Sequence, residues 1–302
     1  MQVKKTWRQV DGVLLLDKPL GLTSNDALQK ARRLFSAAKG GHTGTLDPMA
    51  TGLLPLCFGE ATKFSADLFD ADKTYEAVVK LGETTDSGDA EGVVIARSTV
   101  NVDQSAILAC LPQFTGVISQ IPPMHSALKR DGQPLYRLAR QGIVVEREAR
   151  QITIHALECL DFSGDRLSLR VRCSKGTYIR VLAMDIGAAL GCGAHLVALR
   201  RTTVGRLDLQ PAITLSALES LSDSERLAVL QPVDALLQDF PVFTVDGQNA
   251  SRFAHGNPVP GLGRGSNKFR VYRGETLLGV GELRPDGLLW PKRLCQTALS
   301  TL

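Results

Sequence analysis

The stretch GHTGTLDPMATGLLP at residues 41–55 places one carboxylate, that of Asp47, among residues that restrict or redirect the backbone. Its glycines allow conformations that other residues avoid, and Pro48 biases Asp47 towards an extended conformation. These glycines are Gly41, Gly44 and Gly52. An acid held so rigidly is typical of a catalytic group, although a Gly- and Thr-rich turn without function is the alternative interpretation.

Known nucleotide-binding motifs do not account for this stretch. The sequence has no GxxxxGK[ST] loop, and GLGRGS at 261–266 lacks the GxGxxG register. GTLDPMATG resembles the GTFDPxxxGH signature of adenylyl-transferring enzymes, in which a histidine follows the last glycine. Leu53 stands at that position here. Nucleotidyl transfer is therefore only a minor alternative.

The composition is that of an ordinary globular protein. The chain has 302 residues, of which 44% are hydrophobic and 22% charged, enough for one large domain and a small one. No apolar run is long enough to span a bilayer, and the N-terminus lacks the apolar core of a signal peptide. The six cysteines form no CxxC pair, and the five histidines show no metal-ligand spacing. We therefore expect a cytoplasmic protein without metal, cofactor or membrane partner.

Charge is unevenly distributed along the chain. Residues 1–39 carry eight Lys and Arg against three acids, residues 129–180 carry eleven against six, and residues 250–302 carry eight against three. The segments 60–96 and 207–249 are acidic instead. Such separation favours a surface with a basic face, as a nucleic acid partner requires.

Hydrophobic periodicity predicts an α+β core with a mixed, mainly antiparallel sheet. GVLLLDKP at 12–19 is typical of a buried strand, and Ser24 is a candidate cap for the helix that follows. The alternating segments 75–81 and 167–173 predict half-buried strands. Further helices are expected at 105–111, after Pro134, after the KGTYIR turn, and over 214–239 in two pieces broken by Pro232.

The pattern of apolar segments and turn signals in the sequence changes at about residue 240. Short apolar segments are separated there by turn signals, RGE at 273–275 and PDG at 285–287. We therefore expect two domains, a large one over 1–240 and a small β-rich one over 241–302.

Five segments together resemble the TruB-type tRNA pseudouridine-55 synthases, in the order and spacing of that family. The tail RVYRGETLLGVGELRPDGLLWPKRL at 270–294 more loosely resembles the small PUA-like, RNA-binding domain of bacterial members. The five segments are GVLLLDKPLGLTSN (12–25), GHTGTLDPMATGLLP (41–55), DKTYEAVVKLG (72–82), IPPMHSALKRDGQPLYRLARQG (121–142) and CSKGTYIRVLAMDIG (173–187).

The resemblance implies a cofactor-free isomerase that converts uridine 55 in the T loop of tRNA to pseudouridine. The C1′–N1 bond must break, C1′ must rejoin at C5, and the C5 proton must leave. In this family Asp47 would be the essential carboxylate, kept ionised by Arg180. Tyr75 would stack against the uracil. Tyr178 and the backbone of Leu199 would contact it.

The target base is stacked within folded RNA, so it must be flipped out. The resemblance assigns His42 to the vacated space and makes 124–150 a thumb segment that closes over the RNA. Asp89 matches an acidic position that would orient Arg180 or the RNA. Phosphate contacts, which supply affinity and not sequence readout, are expected from basic side chains. These are Lys129, Arg130, Arg137 and Arg140, with Lys18 and Lys63 near the RNA path.

Two questions stay open at the level of sequence. The first is whether the protein is instead an RNA-binding or tRNA-folding protein. The carboxylate of Asp47 disfavours this alternative, because it repels phosphate. The second is whether Asp47 attacks C1′, attacks the pyrimidine ring or assists elimination to a glycal, and which group removes the C5 proton. We expect a monomer acting on one RNA.

Overall fold

The computed structural model describes residues 6–126, 128–130, 132–261 and 267–296. Within these ranges the strands are β1 (Gly12–Lys18), β2 (Gly40–His42), β3 (Ala50–Phe58), β4 (Lys73–Leu81), β5 (Glu83–Thr85), β6 (Val94–Arg97), β7 (Gly116–Gln120), β8 (Lys129–Arg130), β9 (Gln133–Pro134), β10 (Arg150–Ser163), β11 (Arg166–Cys173), β12 (Ala194–Val204), β13 (Leu207–Asp208), β14 (Ile213–Thr214), β15 (Val242–Thr244), β16 (Val259–Pro260), β17 (Lys268–Arg273), β18 (Thr276–Leu283) and β19 (Leu288–Leu294). The α-helices are α1 (Ser24–Phe35), α2 (Ser65–Phe69), α3 (Gln104–Cys110), α4 (Leu135–Arg140), α5 (Ile179–Ala189), α6 (Leu215–Ser220), α7 (Asp223–Ala228) and α8 (Gly247–Ala254).

A large twisted sheet forms the centre of the molecule, with the strand order β14-β1-β3-β12-β4-β11-β10-β7. The pairs β1–β14 and β3–β12 are parallel, and the other pairs along this path are antiparallel. The predicted fold class, an α+β protein with a mixed and mainly antiparallel sheet, is confirmed. Because β12 lies between β3 and β4, it brings together two segments that are distant in sequence.

The strand β1 is buried on both faces. Leu14 and Leu16 belong to the core beneath α1 and α5, whereas Val13 and Leu15 belong to a second core that the large sheet shares with the smaller one. A continuous apolar run such as GVLLL is typical of a strand covered on both sides. The sequence thus predicts this strand correctly.

The N-cap of the first helix lies one residue earlier than predicted. Thr23, and not Ser24, is the N-cap, since the Thr23 hydroxyl accepts a hydrogen bond from the Asp26 amide at 3.1 Å. Ser24 is buried and faces the Asp47 loop. Both residue types suit an N-cap, so the sequence does not distinguish them.

The segment 214–239 divides into three pieces and not two. Helices α6 and α7 are separated at Leu221 and Ser222, because Ser222 forms a capping box with Glu225 that starts a new helix. Pro232 then precedes a short 3-10 helix, Val233–Leu237. The break at Pro232 is as predicted, and the capping box is the signal that was missed.

A second sheet, with the order β15-β17-β18-β19-β16, begins at Val242. This β-rich region also contains α8, which the sequence analysis did not predict; Asp246 caps it and Phe253 is buried in the second core. Lys268 in this sheet pairs at 2.6 Å with Asp67 in α2, the helix between β3 and β4 of the larger sheet.

In the described residues, no helix combines the length and the apolar character needed to cross a membrane.

Candidate active site

The Asp47 loop connects β2 to β3 at the centre of the large sheet. Gly44 and Gly52 have φ values of 105° and 98°, which only glycine adopts without strain. Gly41, by contrast, lies in β2 with ordinary backbone geometry. The Asp47 carbonyl accepts a hydrogen bond from the Ala50 amide at 3.0 Å, which closes a tight turn at Pro48.

Two neighbouring residues, Ser24 and Gly21, hold this loop through three hydrogen bonds from the side of β1 and α1. The Ser24 hydroxyl accepts from the Leu46 amide at 2.7 Å and donates to the Leu46 carbonyl at 3.0 Å. The Gly21 amide donates to the Pro48 carbonyl at 2.8 Å. Because Leu46 and Pro48, which flank Asp47, are held by backbone hydrogen bonds, the backbone position from which the Asp47 side chain extends is fixed.

Arg180 lies in the first turn of α5 and is buried, with 5% of its side chain exposed. One guanidinium nitrogen, Nη2, is 3.1 Å from the Asp47 carboxylate and donates to the His125 carbonyl at 2.7 Å. The other, Nη1, is 3.2 Å from the Asp89 carboxylate and donates to the Ser87 carbonyl at 3.2 Å. One guanidinium thereby joins three loops.

The two carboxylates on Arg180 have different environments. The Asp47 side chain is 41% exposed, whereas that of Asp89 is 5% exposed. Asp89 also accepts hydrogen bonds from the Ser87 hydroxyl at 2.6 Å and the Glu91 amide at 3.1 Å. Asp47 is therefore open to a ligand, and Asp89 is a buried counterion that orients Arg180.

A cavity of about 180 Å³ lies beside Asp47 and Arg180. Tyr75, Tyr178 and Leu199 line it, so the structure brings these predicted site residues together in one place. Tyr75 is half-buried; it packs against the main core and also lines the cavity. A space of this size suits a single flat base.

A larger cavity of about 640 Å³ opens next to the first and shares Asp47 and Arg180 with it. His42 lines this cavity, and its buried Nδ1 atom has no hydrogen-bond partner among the described residues. Burial and the nearby Arg201 guanidinium lower the pKa of the His42 imidazole, which favours its neutral form. A neutral ring with a free nitrogen is suited to contact a base.

The predicted thumb segment, residues 124–150, includes the short hairpin β8–β9 and helix α4. Lys129, Arg130 and Arg137 are exposed, and the Arg130 guanidinium donates to the Glu146 carbonyl at 2.6 Å. The side chain of Arg140 lies outside the described residues. The start of the segment touches the site directly, because the His125 carbonyl accepts from Arg180.

Two predicted RNA contacts are placed elsewhere. Lys18 is fully buried, and its ammonium donates to the carbonyls of Pro19 at 2.9 Å, Leu22 at 2.6 Å and Pro48 at 3.5 Å. It has no exposed surface with which to bind a phosphate, so its role as an RNA contact is corrected to support of the Asp47 loop.

Lys63 lies at the junction of the two sheets. Its ammonium pairs with Glu60 at 2.8 Å and donates to the Leu294 carbonyl at 3.1 Å. These contacts do not bring Lys63 to either of the two cavities beside Asp47. The basic residue at this position therefore links the sheets.

Two residues that support the site were not predicted from the sequence. Gln120 is buried and binds the backbone of Tyr178 twice, accepting from its amide at 2.8 Å and donating to its carbonyl at 3.1 Å. Arg201 is buried and binds the Leu53 carbonyl at 2.8 Å. An unexpected charge on the inward face of β12 is the only sequence signal for Arg201. In the described residues, no group of three or more potential ligands is arranged to hold a metal ion.

Three family models match consecutive parts of the chain. Residues 32–179 match the N-terminal domain of the TruB family pseudouridylate synthases. Residues 180–238 match the C-terminal domain of tRNA pseudouridylate synthase B, and residues 241–295 match the C-terminal region of pseudouridine synthase II TruB.

Curated relatives match over nearly the whole chain. A tRNA pseudouridine synthase B of Dechloromonas aromatica (strain RCB) is 68% identical and covers 99% of this chain and 100% of its own. One of Azoarcus sp. (strain BH72) is 59% identical and covers 98% and 99%.

Solved structures share the fold. A crystal structure of a Cbf5-Nop10-Gar1 complex aligns with a TM-score of 0.71 and 27% identity, covering 90% of this chain and 78% of that one. The H/ACA RNP bound to a substrate RNA containing 2′-deoxyuridine aligns with a TM-score of 0.70 at 24% identity, over 94% and 84% of the two chains. Both the sequence models and the full-length relatives give the same answer: this chain belongs to the TruB family of pseudouridylate synthases.

Proposed function

We propose that this protein isomerises uridine 55 in the T loop of tRNA to pseudouridine, as a single cytoplasmic chain acting on one RNA. The observation that carries the proposal is the pairing of a half-exposed Asp47 with a buried Arg180 at the mouth of a base-sized cavity. Two full-length relatives that bear the name tRNA pseudouridine synthase B support it.

The residues of the cavity suit the steps of the reaction. Asp47 is the carboxylate that attacks the sugar or the base, or assists elimination, while the C1′–N1 bond breaks and before C1′ joins C5. Arg180 lies at ion-pair distance and favours its ionised form. Tyr75 stacks against the flipped uracil, and Tyr178 and Leu199 complete the walls of the cavity.

Residues outside the small cavity bind the rest of the RNA. His42, which lines the larger cavity, fills the space that the flipped base leaves in the T loop. Lys129, Arg130 and Arg137 contact phosphates, and we assign Arg140 to the same group. Residues 241–302 form the PUA-like domain and contribute further contacts to the tRNA.

An RNA-binding protein without catalysis is the second candidate. The basic segments and the exposed thumb cations favour it. It offers no reason for a half-exposed carboxylate at the mouth of the cavity, because this charge repels phosphate.

The test is the release of tritium from C5 of uracil in a tRNA transcript, without added nucleotide or metal. We expect release by the wild type, none by Asp47→Asn, and nearly unchanged tRNA binding by both. Asp103→Asn, which alters an exposed carboxylate that caps α3, is the matched control and should release tritium normally. Release by Asp47→Asn overturns the assignment, and tight binding without release by the wild type favours the RNA-binding candidate.

A further inference from the structure

Arg201 is a buried arginine that the reaction scheme above leaves without a role. Arg201 is 1% exposed, and it is the largest of the fully buried side chains among the described residues. Over the ranges that the structure describes, no carboxylate pairs with its guanidinium. Burying an unpaired cation is costly, so its hydrogen bonds must offset a substantial desolvation penalty.

The guanidinium binds both ends of the Asp47 loop. Its Nε donates to the Leu53 carbonyl at 2.8 Å, after the loop, and its Nη2 donates to the Gly44 carbonyl at 3.2 Å, before it. The register partner of Arg201 on β4 is Tyr75, whose phenol interacts electrostatically with the Arg201 guanidinium. One side chain therefore contacts the segment that carries Asp47 and the aromatic residue that borders the same cavity.

Strand register accounts for this arrangement. On β12, Arg201 is the Cα partner of Gly52 in β3 on one side and of Tyr75 in β4 on the other. The backbones of Gly52 and Arg201 are so close that a Cβ at residue 52 would lie 2.3 Å from the Arg201 carbonyl oxygen. The backbone that carries the guanidinium is thus part of the sheet and not of a loop.

The chemistry of the guanidinium determines where the Tyr75 hydroxyl points. Arginine has only N–H donors and no acceptor, so a hydrogen bond between these two neighbouring groups can run only from Arg201 to the phenol oxygen. Elsewhere in the described residues, no hydrogen bond from the Tyr75 hydroxyl to a protein acceptor occurs. The hydroxyl hydrogen is therefore left for the cavity that Asp47 lines.

We infer that Arg201 is a positioning residue for the isomerisation: it holds the Tyr75 hydroxyl as a hydrogen-bond donor towards the bound uracil and fixes the Asp47 loop against it. This inference rests on the proposed function, since it assumes that uracil occupies the cavity. Burial raises the pKa of the Tyr75 phenol and the Arg201 cation opposes the rise, which is consistent with a contact between the two groups.

A double-mutant cycle under single-turnover conditions tests the inference. We expect Arg201→Met and Tyr75→Phe each to slow conversion about ten- to a hundredfold, as the loss of a buried hydrogen bond to a charged group predicts. The conversion rate of the double variant should lie within about threefold of that of the slower single variant, because both changes remove the same interaction. If the rate losses of the two single variants multiply in the double variant, the inference is wrong.

Arg200→Met is the matched control. Arg200 is adjacent on β12 but lies on the opposite face, where it pairs with Asp17 at 2.7 Å. Its effect should multiply with that of Tyr75→Phe. If Arg201→Met does not fold, Arg201→Lys and Arg201→Gln enter the same cycle, and the lysine, which keeps the charge and a donor, should be the faster of the two.

A readout independent of turnover separates this inference from the proposed function. With ¹³C at Cζ of the four tyrosines, the Tyr75 resonance is assigned by its absence in Tyr75→Phe. Replacing Arg201 should shift this resonance and raise the pKa of the phenol, whereas Arg200→Met should change neither. An unmoved Tyr75 resonance refutes the inference even where the wild type is active. A wild type without turnover refutes the proposed function, and the resonance alone then decides the Arg201–Tyr75 contact.

Discussion

Replacing Asp89 with Asn tests how Arg180 is held in the site. Asp89 is buried and 3.2 Å from Arg180 Nη1, and it accepts further hydrogen bonds from Ser87 and Glu91. The asparagine keeps the volume of the side chain but not its charge. Arg180 then has only the half-exposed Asp47 as an acidic partner among the described residues.

The magnitude follows from the burial of the pair. Removing one partner from a buried ion pair costs about 3–5 kcal/mol. We expect about 2–3 kcal/mol for Asp89→Asn, because the amide oxygen still accepts a hydrogen bond and Arg180 keeps Asp47. Asp47→Asn breaks a pair whose acid is 41% exposed, so its loss of stability should stay below about 1 kcal/mol.

The two carboxylates on Arg180 should therefore have opposite effects. Asp47→Asn abolishes turnover at nearly wild-type stability, whereas Asp89→Asn lowers the melting temperature by roughly 3–5 °C and slows turnover only through Arg180. Urea unfolding followed by tryptophan fluorescence gives both free energies of unfolding by linear extrapolation. Equal stability losses, or a fully stable Asp89→Asn, would refute the view that burial of Asp89 anchors Arg180.

Two further predictions concern residues near the site. Burial lowers the pKa of the Lys18 ammonium to about 8, whereas an unfolded chain keeps this proton up to its ordinary value near 10.5. Between these pH values the unfolded state binds more protons than the folded state. The free energy of unfolding of the wild type relative to that of Lys18→Met should therefore rise with pH. If the two free energies do not diverge between these pH values, the prediction is wrong. Arg137→Ala in the thumb segment should lower the slope of log Kd for tRNA against log salt by about one. The control, Arg166→Ala on the β10–β11 turn, should leave this slope unchanged. Equal slopes in the wild type and both variants exclude a phosphate contact by Arg137.

The fold was predictable where a local pattern carries the information. The uninterrupted apolar run at 13–16 identifies a strand covered on both faces, and the alternation at 167–173 identifies its inward side chains, every one of which is buried. Helix α8 was missed because it has eight residues and lies among strands, so the surrounding β pattern dominated the interpretation. Its cap, Asp246, is the one local signal that marks it.

The parts of the site differ in the same way. Asp47 was predictable because Pro48 and the neighbouring glycines constrain the backbone within a few residues of it. The role of Lys18 was not, because a lysine that ends a strand is usually exposed, and only the tertiary structure shows three carbonyls converging on its ammonium.

Arg201 shows why the framework of such a site escapes local analysis. Leu199 and Arg201 share one face of β12, and Arg200 lies on the other, so two adjacent arginines have unrelated roles. Choosing between them requires the register of β12 against β3 and β4, which is set by pairing between segments far apart in sequence. A shift of one residue in that register would exchange the faces of the two arginines and move the guanidinium away from both Tyr75 and the Asp47 loop. The geometry of the cavity therefore depends on the pairing of the central strand as much as on the residues that line it.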